Sequence, residues 1–290
     1  MDQYQWNTAL QELENKRKQI RNGWFCILAG APCLLMPPVG LALLGVGYYL
    51  FTKGKQDMAK LYKEAIVRAP LQYNFGQVNY QPKSGLTRQQ IDSIGLASFG
   101  DRYHTEDYIQ ASYHGVSFQA SDVQIDDVRE TKDGETSTIL FKGRMMIFEF
   151  PQKLVQGVHI FSKNFKNRTI KDKGNKYYNK VEMESVEFNN MFDTYGMAGN
   201  EHDVFYFFTP QLMERLTYLN GKYQSIAMHA TNNTISFAFN EPNNNAFDYQ
   251  STKFLKNFDV NEEMAKVQAD IDDIKILIDV VMNTNYQRMA

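Results

Sequence analysis

The most distinctive hydrophobic pattern in the chain is an apolar run near its start. Between Trp24 and Phe51 lie 28 residues without Asp, Glu, Lys, Arg or His, although charged residues make up 22% of the sequence. A bilayer-spanning helix needs about 20 predominantly apolar residues. The pattern therefore predicts a membrane segment over residues 24–52.

The apolar run is interrupted at its centre by Pro37 and Pro38. Proline removes a backbone donor and disfavours helix in the residue before it. Two topologies follow: one kinked transmembrane helix, or a membrane hairpin whose ends stay on the same side. Basic residues flank both ends equally, which favours the hairpin with both ends in the cytoplasm: Lys16, Arg17, Lys18 and Arg21 before it, and Lys53, Lys55, Lys60 and Lys63 after it.

This run has two other interpretations. A cleaved signal peptide fits poorly, because the run begins only after residue 23 and is about twice the usual length of a signal-peptide core. A buried hairpin of a soluble protein is the remaining alternative, since Gly and Ala are frequent in the run.

Helical periodicity marks both ends of the chain. Residues 1–23 are predicted to contain an amphipathic helix, and residues 53–72 a helical connector. Residues 260–290 are predicted to form a heptad helix, a coiled-coil pattern that implies a partner helix. That partner could be a second copy, the basic helix over residues 3–21, or the domain's own sheet. Its seam consists of Val260, Met264, Val267, Ile271, Ile274, Ile278 and Val281.

In the middle of the chain, the period of the hydrophobic residues changes from that of helices to that of strands. Residues 73–259 are predicted to form an α+β domain with a mostly antiparallel sheet and flanking helices, because strand-like segments follow one another in pairs. Short helices are predicted after Thr87 and after Thr209, each with an N-capping residue. Strands are predicted at Tyr108–Val128, Thr138–Phe150, Val155–Ser162, Lys180–Phe188, Asp203–Phe208, Ser225–Ala230 and Thr234–Asn240.

Five weak motifs occur in one order along this domain. They are Gly100–Tyr103 with Glu106–Asp107, Gly115–Phe118 with Ser121–Val123, Phe141–Gly143, Asn164–Thr169 and Thr209–Leu216. With the preceding apolar run, they resemble the DUF3137 family of bacterial membrane proteins. The resemblance covers roughly residues 50–285 and implies an N-terminal apolar region followed by a cytoplasmic α+β domain at the bacterial inner membrane. The family's biochemical function is not established, so the resemblance assigns no catalytic residue.

Catalytic chemistry has one candidate cluster. Asp101, His104 and Asp107, with Glu106, form the densest group of acids and imidazole near a family-like segment. They define the alternative hypothesis of a membrane-tethered hydrolase, which needs two such groups converging on one substrate atom. No His pair has helical metal-ligand spacing, and no glycine-rich phosphate loop is present, so neither metal nor cofactor is predicted.

Charge gives the stronger functional indication. The formal net charge of −2 supplies no global basic field, so nucleic acid is not an expected partner. One stretch is nevertheless strongly basic, with a single acid, Asp172. We therefore predict a membrane-anchored, non-enzymatic binding or assembly module that contacts anionic lipid, an acidic partner, a membrane protein or a second copy. The predicted binding residues are Lys163, Lys166, Arg168, Lys171, Lys173, Lys176 and Lys180.

Overall fold

The structure is a computed structural model that describes residues 3–32, 37–132, 134–170, 177–241, 247 and 259–289. The chain divides into two compact units. Unit 1 comprises Met1–Gly76 and Asn245–Asp272, and unit 2 comprises Gln77–Asn244 and Asp273–Ala290.

Unit 1 is helical. It contains α1 (Gln3–Gly30), α2 (Pro37–Tyr62), a π-helical segment (Lys63–Arg68) and α3 (Ala69–Phe75). Helices α1 and α2 pack against each other as a hairpin. Leu13, Ile20 and Met58 are buried in this unit, and the Lys16 ammonium donates a 2.6 Å hydrogen bond to the Asp57 carboxylate.

Glycines allow the two helices of the hairpin to approach closely. The buried glycines recur at seven-residue spacing, at 23 and 30 in α1 and at 40, 47 and 54 in α2. A methyl group added at Gly23 would lie 2.7 Å from the Phe51 nitrogen, and one added at Gly47 would lie 2.9 Å from the Gly23 carbonyl oxygen. The backbones therefore touch where these glycines meet.

The structure does not support the predicted membrane segment over residues 24–52, either as a single kinked transmembrane helix or as a membrane hairpin. In the part of the chain that the structure describes, no helix is both long enough and apolar enough to cross a bilayer. The break at Pro37 and Pro38 does not kink one helix. It begins α2, because proline has no N–H and its fixed φ suits the first turn of a helix.

Unit 2 is built on one nine-stranded sheet with the order β1-β2-β3-β4-β9-β8-β5-β7-β6. Every neighbouring pair is antiparallel. The prediction of an α+β fold with an antiparallel sheet is confirmed. The strands are β1 (Asn79–Gln81), β2 (Arg102–Tyr113), β3 (Val116–Thr131), β4 (Gly134–Glu149), β5 (Val155–Ser162), β6 (Tyr178–Val181), β7 (Phe192–Met197), β8 (Ser225–Asn232) and β9 (Thr234–Asn240).

Short helices flank the sheet. They are α4 (Arg88–Ile94), α5 (Val186–Met191), α6 (His202–Phe207) and α7 (Pro210–Lys222). Ile91 and Ile94 of α4 join the core cluster on one sheet face, together with Phe161 and Tyr195. Both predicted caps are confirmed: the Thr87 hydroxyl accepts from the Gln90 N–H, and the Thr209 hydroxyl accepts from the Leu212 N–H.

Helix α8 (Val260–Met289) occupies the C-terminal end. Five of the seven seam residues, from Val267 to Val281, are at most 2% exposed in this single chain. The coiled-coil prediction is therefore not supported, since a core helix uses the same apolar spacing as a coiled-coil seam. The acidic side chains of α8 also find other partners: Asp279 contacts His114, and Asp273 pairs with Arg215 and Lys222.

Three local predictions were wrong. The segment predicted as one strand over Tyr108–Val128 contains two, joined by a tight turn in which His114 and Gly115 both take positive φ. The segment over Asp203–Phe208 is α6 rather than a strand, with Val204 and Phe207 buried at helical spacing. The segment predicted as a strand over Lys180–Phe188 is a strand only as far as Val181, where β6 ends. Helix α5 follows it.

Candidate anion-binding site

The candidate site lies on the sheet face that α4 covers. Strand register places four side chains in one row across β8, β5, β7 and β6: His229, His159, Tyr195 and Lys180. Asp193 lies two residues before Tyr195 on β7, and therefore on the same face. The row brings together residues that are far apart in the sequence.

Three basic side chains converge on the carboxylate of Asp193, and we call these four residues the Asp193 cluster. The ammonium groups of Lys163 and Lys180 both lie 2.7 Å from Oδ1 of Asp193, and the guanidinium of Arg168 lies 2.8 Å from Oδ2. The Asp193 side chain is only 6% exposed, whereas those of Lys163 and Lys180 are 46% and 42% exposed.

The Asp193 carboxylate is ionised over the physiological range. Burial alone would raise the pKa of Asp193, because it removes the charged form from water. The hydrogen bonds from Arg168, Lys163 and Lys180 outweigh burial and hold that pKa well below its ordinary value. Among these four residues, one anion therefore faces three cations, and their formal charges sum to +2.

Backbone contacts hold Arg168 in place. Arg168 forms an isolated β-bridge with Ala97, and the neighbouring Asn167 carbonyl accepts a 2.6 Å hydrogen bond from the Ser98 N–H. The Asn167 side-chain amide donates to the Leu140 carbonyl at 2.9 Å. The Arg168 guanidinium also lies 5.9 Å from the centre of the Phe161 ring. These contacts fix the backbone at Arg168, and the Phe161 ring and the Asp193 carboxylate hold its guanidinium.

A buried histidine, His159, and a half-buried one, His229, stack beside the cluster. The rings of His159 and His229 are 4.0 Å apart and nearly parallel, and the Tyr178 ring meets His159 edge-on at 4.7 Å. The His229 Nδ1 lies 3.0 Å from the Ile94 carbonyl oxygen. The His159 Nδ1 is buried and has no hydrogen-bond partner among the described residues. Burial, reinforced by His229, lowers the pKa of His159 from 6.5 to about 2, so this imidazole is neutral in the fold.

The predicted basic residues fall into three groups. Lys163, Arg168 and Lys180 meet at Asp193, and Lys166 is exposed in the same segment. Lys171, Lys173 and Lys176 lie outside the described residues. The structure therefore shows an ion-pair cluster where the sequence suggested only a run of charge.

The predicted hydrolase residues lie in three different environments. Asp101 accepts a 2.9 Å hydrogen bond from the Val128 N–H. His104 is exposed on β2. Asp107 is only 1% exposed and accepts a 2.6 Å hydrogen bond from the Tyr80 hydroxyl at an irregularity of β2. The Asp101 carboxylate thus holds the backbone at Val128, and the Asp107 carboxylate joins β2 to Tyr80 of β1.

The described residues contain no group of three His, Cys, Asp or Glu side chains arranged to hold a metal ion. The two stacked histidines do not form such a group.

Sequence reasoning missed Asp193 and the histidine pair. Asp193 is the only Asp, Glu, Lys or Arg between Met191 and Asn200, in a segment rich in apolar residues. A lone charge in a buried strand requires partners, which was a usable signal. The stacking of His159 on His229 depends on β5 pairing with β8, which lie some 70 residues apart, and local spacing does not reveal it.

Comparison with known proteins bears on the second half of the chain. A family model described as "Protein of unknown function (DUF3137)" matches residues 139–285, just over half of the sequence. The chain belongs to the DUF3137 family. The match runs from β4 into α8 and includes all four residues of the Asp193 cluster. The predicted family is therefore confirmed over residues 139–285, which contain three of the five motifs.

No curated protein matches the chain significantly. Among solved structures, the crystal structure of the mycobacterial trehalose monomycolate transport factor A, TtfA, aligns with a TM-score of 0.35 and 9% identity. The alignment covers 74% of this chain and 96% of that chain. This level of similarity supports no inference about fold or function.

Proposed function

We propose that this protein is a non-enzymatic binding or assembly module held at the cytoplasmic face of a bacterial membrane by its N-terminal helical hairpin. The hairpin of α1 and α2 dips into the bilayer and returns to the same side. The folded unit 2 then contacts an anionic group, carried by a lipid or by an acidic partner.

One observation carries this proposal: the hairpin has small residues inside and large apolar residues outside. The five glycines at seven-residue spacing are buried, whereas Phe25, Leu28, Leu41 and Val46 are between 52% and 62% exposed. A helix pair in water buries its large apolar side chains. Helices that pack within lipid instead place small residues at their contact and direct large apolar ones toward the acyl chains.

The length of the hairpin agrees with partial insertion. At about 1.5 Å per residue, the segment from Pro37 to Phe51 extends roughly 21 Å, which is less than the roughly 30 Å hydrocarbon thickness of a bilayer. An apolar tip of this depth enters the membrane without either helix having to cross it.

Aromatic and basic side chains mark the level at which the hairpin would enter the membrane. Tyr48 and Tyr49 are exposed just before the first lysines of α2. Lys53 donates a 3.0 Å hydrogen bond to the Tyr49 hydroxyl, and the Lys55 ammonium lies 4.6 Å from the centre of the Phe51 ring. Amphipathic aromatic rings and lysines are enriched at the headgroup level of membranes.

Vesicle flotation tests the membrane contact. The full chain is mixed with neutral phosphatidylcholine vesicles, and we expect it to float with them. Replacing Phe25, Leu28, Leu41 and Val46 by Ser should reduce the bound fraction at least tenfold, because each large apolar side chain buried in lipid contributes about 1.5–3 kcal/mol.

A matched variant controls for the loss of exposed apolar surface. Phe99 and Ile139 are also exposed, at 64% and 54%, but belong to unit 2. Their replacement by Ser should leave flotation unchanged. Wild-type protein that stays in solution, or equal loss in both variants, would contradict the proposal.

A second measurement addresses topology and partners. A reporter fused at the C-terminus should be active only in the cytoplasm, and cross-linking in intact membranes should capture a second copy or a membrane protein. Such a contact would use a surface other than the α8 seam, most of which is buried in this chain. A reporter found outside the cell, or a protein that stays monomeric and partner-free in these cross-linking experiments, would overturn the assignment.

A further inference from the structure

We propose that a second copy of this chain docks in a groove along the helical hairpin of unit 1. The two hairpins would form a four-helix bundle in which both point the same way, with a twofold axis along the hairpin. The inference rests on the proposed function, because it names the partner of the assembly module, and because two tips that enter one membrane require this arrangement. Every residue that lines the groove belongs to unit 1.

The groove, which we call the hairpin groove, runs between α1 and the continuous helical stretch from α2 to α3. Two adjoining cavities of about 490 and 510 Å³ form it, and they share Leu61 and Glu64. On the side of α2 and α3, its lining extends from Asp57 to Tyr73. These 17 residues measure about 24 Å at 1.5 Å per residue. The hairpin groove is therefore long enough to receive about four turns of a partner helix.

Small side chains let a partner helix come close to the floor of the hairpin groove. Ala9 lines it on α1, and Ala65 and Ala69 line it on the opposite side. The distance between two packed helices is set by the side chains at their contact, so alanines allow a close approach. Leu61 lies where the two cavities meet and supplies an apolar centre for the contact.

The charges of the hairpin groove are balanced, so two copies of this surface can meet without net repulsion. Two of its ion pairs form within one chain, one of 2.6 Å beside the first cavity and one of 2.7 Å beside the second. The three acids are Glu12, Asp57 and Glu64, and the three bases are Lys16, Lys60 and Arg68.

Glu12 and Lys60 are the two charges of the hairpin groove that these pairs do not include. Both are exposed, and neither forms an ion pair with another residue that the structure describes. Lys60 also interacts electrostatically with Asp57, but beyond ion-pair distance. Because their signs are opposite, each of the two can serve the other across an interface.

Glu12 and Lys60 lie at the same level of the hairpin. The ion pair between Lys16 and Asp57 fixes the level of one turn. Since α1 and α2 run antiparallel, Glu12 lies one turn back on α1 where Lys60 lies one turn further on α2. A twofold axis along the hairpin places α1 of each copy beside α2 of the other at equal level. Glu12 of each copy then faces Lys60 of the second copy, which gives two reciprocal ion pairs.

Sedimentation equilibrium of the full chain in detergent measures this dimer. We expect the wild type to reach twice the mass of one chain. Glu12→Lys alone and Lys60→Glu alone should each weaken dimerisation at least tenfold, because each homodimer then contains two repelling pairs. An equimolar mixture of the two variants should recover the wild-type affinity to within about threefold, because opposite charges meet at both places in the mixed dimer.

The mixture separates contact between chains from a defect inside one chain, since such a defect would persist after mixing. Glu14→Lys and Lys18→Glu are matched controls, because these exposed residues of α1 do not line the hairpin groove. Each control should change the dimer affinity less than about twofold. Circular dichroism melting verifies that every variant is folded.

Three results would overturn the inference. They are a wild type that stays monomeric at every concentration, charge reversals at Glu12 and Lys60 with no more effect than the controls, and a mixture that does not recover the dimer. Failure of the proposed membrane contact is recognised separately, since neutral vesicles then no longer float the wild type while its dimer in detergent persists.

Discussion

Single residues show how a buried polar group is accommodated on the sheet. Asp193 is surrounded by three cations, whereas the Nδ1 of His159 has no hydrogen-bond partner in the part of the chain that the structure describes. A buried charge is tolerated only with partners, and a buried imidazole stays neutral instead. The stability of the fold therefore depends on the negative charge of Asp193 and on the neutral state of the His159 imidazole.

Neutralising Asp193 should destabilise unit 2. Asp193→Asn leaves Lys163, Arg168 and Lys180 repelling one another around a neutral amide. We expect a loss of about 2–3 kcal/mol in the free energy of unfolding, less than for a fully buried pair because the lysines are partly exposed. Urea unfolding measures it.

High salt tests whether repulsion among the three cations causes this loss of stability. Raising the salt concentration to 1 M should recover part of the loss, because it screens the repulsion. Asp203→Asn, at an exposed acid of α6, should have little effect. An Asp193→Asn protein as stable as the wild type would show that the cluster does not depend on the carboxylate.

His159 should make the fold sensitive to acid. Its pKa is about 2 in the fold against an ordinary 6.5, so the neutral form is the one that folding favours. The stability is complete above pH 6.5 and is lost as the pH falls below it, by about 1.4 kcal/mol per unit. At pH 5 the loss from this group is about 2 kcal/mol.

Replacing His159 by Phe should remove that loss. The ring is kept, its stacking against His229 and Tyr178 is preserved, and no hydrogen bond of Nδ1 is given up. The difference in unfolding free energy between pH 7 and pH 5 should shrink by about 2 kcal/mol. His104→Gln, at an exposed histidine, should leave the difference as it is in the wild type. An unchanged difference in the His159→Phe protein would refute the assignment.

At the scale of elements, local signals predicted those segments whose ends carry capping or turn residues. Thr87 and Thr209 begin α4 and α7 as predicted, because their hydroxyls accept from backbone N–H groups three residues later. The hairpin of β8 and β9 follows from alternation around Asn232 and Asn233. These features depend on neighbouring residues alone.

Other elements could not be predicted because tertiary contacts decide them. The aromatic residues of Asp203–Phe208 suit a strand, but burial of Val204 and Phe207 three residues apart selects α6. The turn at His114 and Gly115 lacks the common Asn-Gly signal. The Asp193 cluster requires the pairing of β6 and β7, which sequence spacing does not specify.

The hairpin of unit 1 offers a test of its glycine contact. Gly47→Ala should push α1 and α2 apart, because the added methyl group would lie 2.9 Å from backbone and side-chain atoms of α1. Gly45→Ala adds the same methyl group where nothing lies within 4 Å. The second variant should be neutral or stabilising by up to about 1 kcal/mol, since Ala favours helix over Gly.

Tryptophan fluorescence reports the outcome. In a Trp6→Phe background, the remaining Trp24 ring lies 6.0 Å from the Phe51 ring across the hairpin. Gly47→Ala should alter the Trp24 emission and lower the midpoint of the unfolding transition that this emission follows. Gly45→Ala should do neither. Identical behaviour of the two variants would show that the close approach does not matter.

At the scale of the whole molecule, attachment and ligand binding are assigned to different units. The proposed membrane contact belongs to unit 1, and the Asp193 cluster belongs to unit 2. The family match begins only at residue 139, within β4, and therefore covers the cluster but not the hairpin. The two functions should respond to different conditions.

Salt should separate the two contacts. Binding of the full chain to neutral vesicles should persist in 1 M NaCl, because salt does not screen apolar burial. Contact of unit 2 with an anionic lipid or an acidic partner should weaken at least tenfold, since partly exposed charges are screened within a few ångströms at that ionic strength. Titrating NaCl measures both contacts, the first by flotation of the wild type with neutral vesicles and the second by flotation of the variant with four serines in the hairpin with vesicles that contain an anionic lipid. Detachment of the protein from neutral vesicles at high salt would show that its basic flanks, rather than its apolar tip, hold it there.

The strand order of the sheet has a consequence for biosynthesis. The first four strands form a continuous meander, but the neighbour of β4 is β9, and 91 residues separate Glu149 from Asn240. At about 5–20 residues per second, the ribosome needs roughly 5–18 s to deliver that missing neighbour. Throughout this interval the nascent chain presents the open edge of β4, so we expect chaperones to engage this protein when about half of it has been synthesised.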